Sequence, residues 1–475
     1  MFRKQAILRG IATIASVAVL LAPAIWNHFP LLQYDTGGYF VRWYEGYLVP
    51  SRSTVFGLFL NVSAYPDFWP AVLIQAALTV WIIALVMRAL GLGERPWLLL
   101  GVIATLSAAS SLPWLTSVLL TDIFAGIAVL CTYLLIFANE ATRPWERVAL
   151  VTVLAFSIAS HSATLAVILV LIGAAVFAWR YWCLGSAGGI ARSVGAVALG
   201  AIMLLGANYV VARQLAWTPG GVALSFGRML QDGIVTRYLN DHCPDPHLRL
   251  CPYRSLLPEG ADAFFWGDVD AEGIIFNKLG RFAGLNDEMT EIVLGSLRDY
   301  PLLQLETAVA DGVRQLGQFA TGEGMVNIIW HTYWAIDTFA PAASADMRAA
   351  RQQRGELTFT IVNRINEPVA IASMLLLIMI ARLGWRQRRF SDLGQFAAVV
   401  ATALLANAFV CGVLSNPHDR YGARVVWLAP LIVVLLFCRL AVRRWNAGRS
   451  QRELAGVSSL PVVHAVAPHD FSSHR

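Results

Sequence analysis

The sequence predicts an all-α polytopic membrane protein with about ten transmembrane helices and one large loop. Three observations predict this fold class. Of the 475 residues, 57% are hydrophobic and only 14% are charged, whereas soluble globular domains carry roughly 25% charged residues. Apolar runs recur along the chain, many of them close to the ~20 residues that cross a bilayer. Arg residues collect in the short segments between alternate runs, as they do on the inner side of membrane proteins.

The apolar runs define the predicted spans, which are 6–27, 67–90, 96–112, 117–138, 148–159, 163–179, 193–215, 367–384, 393–414 and 424–442. Only Ser160, His161 and Ser162 separate the fifth span from the sixth. A re-entrant hairpin is therefore the alternative for that pair. The basic start and Ala22-Pro23-Ala24 also fit a cleaved signal peptide. We expect an uncleaved anchor, because the first run is long enough to span.

The positions of the basic residues predict the orientation. Among the short connections, the predicted inner ones and their flanks hold nearly all of the Arg residues: Arg88, Arg95, Arg143, Arg147, Arg180, Arg192, Arg382, Arg386, Arg388, Arg389, Arg439, Arg443 and Arg444. The outer connections 113–116 and 160–162 hold none, and the exceptions are Arg42, Arg52 and Arg420. The positive-inside rule then puts both termini in the cytoplasm, and we expect a bacterial inner membrane. The net charge of +6 reflects this topology, and without interleaved aromatics it does not indicate nucleic-acid binding.

This topology divides the chain into four parts. Residues 1–215 form an N-terminal transmembrane module of about seven spans, which includes a first outer loop at 28–66. Residues 216–366 form a mixed, mainly helical periplasmic loop domain, 367–445 a C-terminal module of three spans, and 446–475 a disordered cytoplasmic tail. Cys243 and Cys251 lie in the periplasmic loop, where we expect them to form a disulfide, the alternative being two unpaired thiols.

Candidate functional residues gather on the predicted outer face. Asp35 follows the first span and Asp122 lies at the outer end of the fourth, or buried within it. A carboxylate there is costly unless it is paired or hydrated, although each residue could also be a helix cap. His161 stands at an outer turn, where an interfacial role is the alternative. The last outer connection holds the group His418, Asp419, Arg420, Tyr421 and Arg424. Guanidinium groups suit phosphate, but Asp419 and Arg420 could simply pair as an interfacial anchor.

This arrangement of an acid after the first span, a second acid after a later one and a terminal Arg-Tyr segment resembles the GT-C superfamily of membrane glycosyltransferases. The resemblance implies a polyprenyl-phosphate sugar as donor. Asp35 corresponds to the acid that acts as general base, Asp122 to the second acidic position, and Arg420 with Tyr421 to the segment that contacts phosphate. Asp35 has no acidic neighbour, and the chain lacks a Trp-Trp-Asp segment, so protein O-mannosyltransferase and oligosaccharyltransferase activities are not implied.

The implied function is an inverting glycosyl transfer to a periplasmic glycan or glycolipid acceptor in the lipid bilayer. Asp35 and Asp122 are the expected catalytic acids, and Arg420, His418, Tyr421, Arg424 and His161 the expected phosphate- or substrate-binding residues. Asp122 would orient the acceptor or a divalent metal, and Asp268-Val269-Asp270 is a weak metal motif. Two alternatives are a transporter or flippase of a lipid-linked saccharide, which needs no catalytic acid, and an O-antigen polymerase or ligase, which relies on outer Arg and His.

Overall fold

A computed structural model of the chain describes residues 2–93, 95–267, 274–386 and 392–457. Within these ranges the regular secondary structure is helical, and β-structure is limited to one bridge between Leu31 and Val118. The all-α prediction is confirmed. The N-terminal helices are α1 (Phe2–Leu20), α2 (Ala22–Asn27), α3 (Thr36–Phe40), α4 (Thr54–Val62), α5 (Trp69–Ala89), α6 (Pro96–Ala109), α7 (Leu112–Ser117), α8 (Asp122–Ile136), α9 (Pro144–Ser160), α10 (Ser162–Trp182) and α11 (Ala187–Ala212).

The middle of the chain consists of short helices, and long helices return afterwards. The middle helices are α12 (Val222–Gln231), α13 (Ile234–His242), α14 (Ala261–Trp266), α15 (Ile274–Lys278), α16 (Arg281–Asp299), α17 (Pro301–Gly317), α18 (Trp330–Phe339) and α19 (Ser344–Ala349). The C-terminal helices are α20 (Thr360–Arg386), α21 (Asp392–Leu414), α22 (Asp419–Val426) and α23 (Leu428–Val457).

The part of the chain that the structure describes has six helical stretches long and apolar enough to cross a membrane. They are α5, α10, α11, Thr360–Leu383 of α20, α21, and Asp419–Asn446, which runs through α22 into α23. Shorter apolar helices lie at Gln5–Leu20, Pro96–Ala109 and Asp122–Ile136. The chain is therefore an all-α, multi-pass membrane protein. The count of about ten spans remains a prediction.

The first and fourth predicted spans are interrupted. The first breaks at Leu21, just before Pro23. In the fourth, residues 118–121 leave the helical path between α7 and α8. Other segments supply hydrogen bonds to the backbone of these residues. The Leu119 amide donates to the Leu31 carbonyl (3.0 Å), and Gln75 Nε2 donates to the Val118 carbonyl (3.0 Å). Non-helical backbone is tolerated in a membrane protein where such partners enclose it.

The predicted loop segment consists of two differently packed parts. Between α12 and α16, a separate apolar core forms around Phe226, Phe264 and Phe276. Residues 325–350 instead join the main core of the helical bundle, through side chains that include Met325 and Ile336. The Cys243 and Cys251 sulfurs, predicted to pair, are bonded in the first part. The segment thus has one self-contained part and one part packed against the bundle.

The end of the chain differs from the prediction. A disordered tail was expected from residue 446, but α23 continues to Val457. This stretch contains Ala, Arg, Glu and Leu, which are good helix formers, and the helix already begun at Leu428 supplies its nucleus. The rest of the predicted tail lies outside the described residues.

Candidate functional site

Asp35 is held by a connection that is bonded on both sides. The Leu31 amide donates to the Ser117 carbonyl (2.9 Å), and the Tyr34 amide donates to the Gly324 carbonyl (3.1 Å). Gly324 has a φ of +74°, and a Cβ there would lie 2.2 Å from Gln33 Nε2, so glycine is required for the close approach. These contacts fix Asp35 at the N-terminus of α3. We call this end of the bundle, which carries the connections 28–66 and 213–359, the loop side.

Arg420 joins Asp35 to Asp122. Its Nη1 lies 2.5 Å from Asp35 Oδ2, and its Nε lies 2.7 Å from Asp122 Oδ2. Nη2 also donates to Asp122 Oδ1 at 3.4 Å. A planar guanidinium can bond two carboxylates at once because its donors point in different directions. The structure therefore brings together three of the predicted site residues from three distant parts of the sequence.

Arg52 completes the cluster by pairing with the other oxygen of Asp35, Oδ1. Burial by itself raises the pKa of Asp35, but Arg52 and Arg420 outweigh it and lower the pKa to about 2. Two carboxylates and two guanidinium groups make this cluster neutral. As long as both arginines stay in place, Asp35 is a weak base.

Asp122 is enclosed, in contrast to Asp35. It is the first residue of α8, and its side chain is 2% exposed, whereas that of Asp35 is 17% exposed. Both of its carboxylate oxygens accept from Arg420. Asp122 thus lies behind the guanidinium, where it can hold Arg420 but has little surface with which to contact an acceptor.

His418 connects the cluster to the loop segment. Its Nδ1 lies 2.6 Å from Glu323 Oε1, and its Nε2 lies 3.3 Å from Asp262 Oδ2. The second oxygen of Glu323 accepts from the Arg420 amide (2.7 Å). Burial alone lowers the pKa of His418, but the two carboxylates outweigh it and raise the pKa to about 9. Glu323 therefore holds both His418 and the first turn of α22 in place.

The remaining predicted residues lie around the cluster rather than in it. Arg424 is 1% exposed and donates to Asn407 Oδ1 (2.7 Å) and to the Cys411 sulfur (3.0 Å). The Arg424 guanidinium carbon lies 5.4 Å from the centre of the Tyr421 ring, and that of Arg420 lies 6.0 Å from it. The alternative of an interfacial anchor requires Asp419 to pair with Arg420. Asp419 instead accepts a hydrogen bond from the Ala320 amide (2.9 Å).

His161 faces a cleft beside the cluster. Its Nδ1 accepts from the Ala163 amide (3.2 Å), so it caps α10. The cleft encloses about 320 Å³, counted with its open mouth, and its walls include Arg52, His161, Ser162, Asn208 and Trp217. Arg52 therefore borders both Asp35 and this cleft.

Sequence reasoning missed three residues that contact the predicted site residues, namely Arg52, Glu323 and Asp262. One signal existed for Arg52: it is a basic residue in a predicted outer loop, where the charge rule disfavours Arg. Its pairing with Asp35 accounts for that exception, and Arg42 is likewise paired, with Glu45. Nothing in the local sequence around Glu323 or Asp262 indicates their partner.

The described residues do not fit the divalent metal considered for Asp122. They contain no group of three His, Cys, Asp or Glu side chains that could hold a metal ion, and Asp122 directs both oxygens to Arg420. The Asp268-Val269-Asp270 motif lies outside the described residues. No protein-family model, no curated protein and no solved structure matches the chain.

Proposed function

We propose that the protein is an inverting membrane glycosyltransferase that moves a sugar from a polyprenyl-phosphate donor to a glycan or glycolipid acceptor at the outer membrane face. The observation that carries the proposal is the bridge from Arg420 to Asp35 and Asp122. Replacing a buried ion pair by apolar side chains is often neutral or stabilising, so such a cluster needs a reason other than stability. Asp122 and Arg420 each lie at the first turn of an apolar helical stretch, and ionisable residues in such segments are by default candidates for a functional site.

The chemistry needs a base and a cationic site, and this cluster contains both. The acceptor hydroxyl oxygen attacks the anomeric carbon of the donor sugar as the bond from that carbon to the phosphate oxygen breaks. The hydroxyl proton passes to the Asp35 carboxylate, and the polyprenyl phosphate leaves with the bonding electron pair. A single displacement of this kind inverts the anomeric configuration. Arg420 and Arg52 face the negative charge that develops on the leaving phosphate.

The pairing of Asp35 imposes an order on these events. With a pKa of about 2, Asp35 accepts a proton poorly while Arg52 and Arg420 hold it. A donor phosphate is a second anion that the same guanidinium groups can bind in a bidentate manner. As the phosphate takes over Arg420 or Arg52, the pKa of Asp35 rises and the carboxylate becomes available to the acceptor. Donor binding thereby activates the base in this proposal, and Asp122 acts as a positioning residue for Arg420.

The experiment compares wild-type protein with Asp35→Asn, each purified into phospholipid nanodiscs. Radiolabelled undecaprenyl-phosphate mannose, glucose and arabinose serve as donors, and an envelope glycolipid extract serves as acceptor. We expect the Asn variant to lose about 100-fold or more of the transfer rate, since it cannot take the proton. Asp392→Asn is the matched control, because Asp392 is exposed at the start of α21 and pairs with Arg439.

The outcome also separates the alternatives. Equal transfer by wild type and the folded Asp35→Asn variant would overturn the mechanism. In sealed proteoliposomes, movement of an uncleaved donor across the bilayer without sugar transfer would favour a flippase. Transfer that depends on Arg420 and His418 but not on Asp35 would favour a polymerase or ligase.

A further inference from the structure

Helix α14 presents two different faces. Phe264 and Phe265 are buried in the separate core of the loop segment. Asp262 and Trp266 are four residues apart, so they lie on one side of the helix, about one turn from each other. Both of these side chains contact residues of the site: Asp262 contacts His418, and Trp266 contacts Arg52. The buried phenylalanines therefore fix α14 in a position that directs its second face to the cluster.

Trp266 is a large aromatic side chain left open beside charged groups. It is 48% exposed, and the Arg52 guanidinium carbon lies 5.7 Å from the centre of its ring. Arg52 in turn pairs with Asp35. The indole is thus separated from the proposed base by a single side chain. Exposed aromatics and arginines of this kind are enriched in binding surfaces, where the ring supplies contact area at low entropic cost.

Asp262 adds a hydrogen-bond acceptor to the same face. One of its oxygens lies 3.3 Å from His418 Nε2, yet its side chain is still 58% exposed. A carboxylate can accept up to about four hydrogen bonds, so it retains capacity for ligand hydroxyls. The combination of an aromatic face and a carboxylate also discriminates among ligands. It suits a ring that carries C–H groups on one face and hydroxyls on its edge, whereas a carboxylate repels a phosphate and disfavours a purely apolar chain.

We propose that the acceptor is a saccharide and that α14 binds it, with the Trp266 indole stacked on a sugar ring and Asp262 accepting hydrogen bonds from its hydroxyls. This inference rests on the proposed function and specifies its acceptor. The polarised C–H groups of a sugar ring are attracted to the negative face of the indole, as cations are. Bound in this way, an acceptor would lie beside Arg52 with a hydroxyl directed to Asp35.

The test measures transfer from the undecaprenyl-phosphate sugars to methyl mannoside, methyl glucoside and methyl galactoside, with a Ser-containing peptide as comparator. The variants are Trp266→Ala, Trp266→Phe and Asp262→Asn. We expect the Ala variant to raise the acceptor KM about tenfold or more, equivalent to about 1.4 kcal/mol of binding, while changing kcat much less, because only the stacking contact is lost. The Phe variant retains a ring and should stay within about threefold of wild type. Asp262→Asn should also raise the acceptor KM.

Trp97→Ala is the matched control, since Trp97 is 55% exposed at the start of α6, beside a predicted inner connection and therefore on the face opposite the proposed site. An unchanged acceptor KM in Trp266→Ala, an equal rise in Trp97→Ala, or transfer to the peptide alone would overturn the saccharide inference and leave the glycosyltransferase proposal standing. In Trp266→Ala, a smaller share of the cleaved sugar should be transferred to the acceptor and a larger share to water, and this result would support the saccharide inference. If the wild type cleaves none of the donors, the proposed function itself fails.

Discussion

Arg420 Nη1 lies 2.5 Å from Asp35 Oδ2, although 385 positions separate the two residues in the sequence. Asp35 follows the first two helices, and Arg420 stands in the first turn of α22, near the last apolar helix. The contact therefore joins, on the loop side, a connection near the start of the chain to the helix that precedes α23. It also joins the proposed base, Asp35, to the proposed phosphate-binding residue, Arg420. Until a substrate binds, Arg420 keeps Asp35 from accepting a proton, and Asp35 occupies the guanidinium group of Arg420.

The bridge made by Arg420 predicts that lysine cannot replace it. A lysine ammonium is a compact charge without the planar fork that reaches Asp35 and Asp122 together. We expect Arg420→Lys to lower the transfer rate by about 10- to 100-fold with a smaller effect on thermal stability. Arg439→Lys is the matched control, since Arg439 pairs only weakly with exposed Asp392, at 3.5 Å. Equal activity of Arg420→Lys and Arg439→Lys would contradict this prediction.

The pair of His418 with Glu323 predicts a loss of stability at alkaline pH. The pKa of His418 is raised from 6.5 to about 9 in the folded protein. A group with a raised pKa in the folded protein stabilises the fold fully at a pH below its pKa in the unfolded chain. This stabilisation is lost as the pH rises through its pKa in the folded protein. With a side chain 23% exposed, His418 contributes at most about 3 kcal/mol. Thermal unfolding between pH 6 and pH 10, at roughly one-unit steps, measures the slope.

The same titration in His418→Gln should show a much smaller decline over this pH range, because glutamine does not titrate. His247→Gln provides the control, since His247 is an exposed loop residue. An identical decline in wild type and His418→Gln would show that another group causes the pH dependence.

The packing of α22 predicts that Gly422 cannot be enlarged. A Cβ at this position would lie 1.9 Å from the Gln318 carbonyl oxygen and 2.9 Å from Phe319 Cβ. We expect Gly422→Ala to lower the free energy of unfolding by about 1 to 3 kcal/mol and to displace Arg420, so that transfer also falls. Gly206→Ala, in open space on α11, should be neutral or slightly stabilising. Denaturation in detergent micelles measures the stability of both variants. Equal stability of Gly422→Ala and Gly206→Ala would contradict the close packing of α22 at Gly422.

The predicted orientation can be tested on Cys183. This cysteine is exposed between α10 and α11, in a predicted inner connection. A membrane-impermeant maleimide should label it in inverted vesicles but not in intact cells. Cys183→Ser should abolish the labelling. Labelling of Cys183 in intact cells would reverse the orientation and would move the proposed site to the cytoplasmic face.

The apolar pattern was sufficient to predict the helical fold but not where its helices break. A run of apolar residues gives no sign that residues 118–121 are non-helical, because the reason lies elsewhere in the chain. The carbonyl of Leu31 and the side chain of Gln75 provide the hydrogen bonds that the missing turn would have made. Such long-range compensation is not visible in a local window of sequence.

The site was predictable to the extent that polarity and topology define it. Asp35, Asp122 and Arg420 stand out as charged residues beside apolar runs, and a single predicted face collects them. The roles within the site were not predictable in the same way. Whether Asp122 contacts a substrate depends on its enclosure behind Arg420, and Arg424 belongs to a separate contact with Asn407. Glu323 and Asp262 come from the loop segment, whose tertiary placement the local pattern does not encode.

In the proposed mechanism, Asp35 and the donor phosphate compete for Arg420. The affinity of the protein in nanodiscs for undecaprenyl phosphate measures this competition. Because Asp35→Asn frees the guanidinium groups, that variant should bind the lipid phosphate several-fold more tightly than wild type, a gain of about 1 kcal/mol, even though it cannot catalyse transfer. Arg420→Gln should bind it at least about tenfold more weakly. Weaker binding by Asp35→Asn, or unchanged binding by Arg420→Gln, would show that Asp35 and the phosphate do not compete for Arg420.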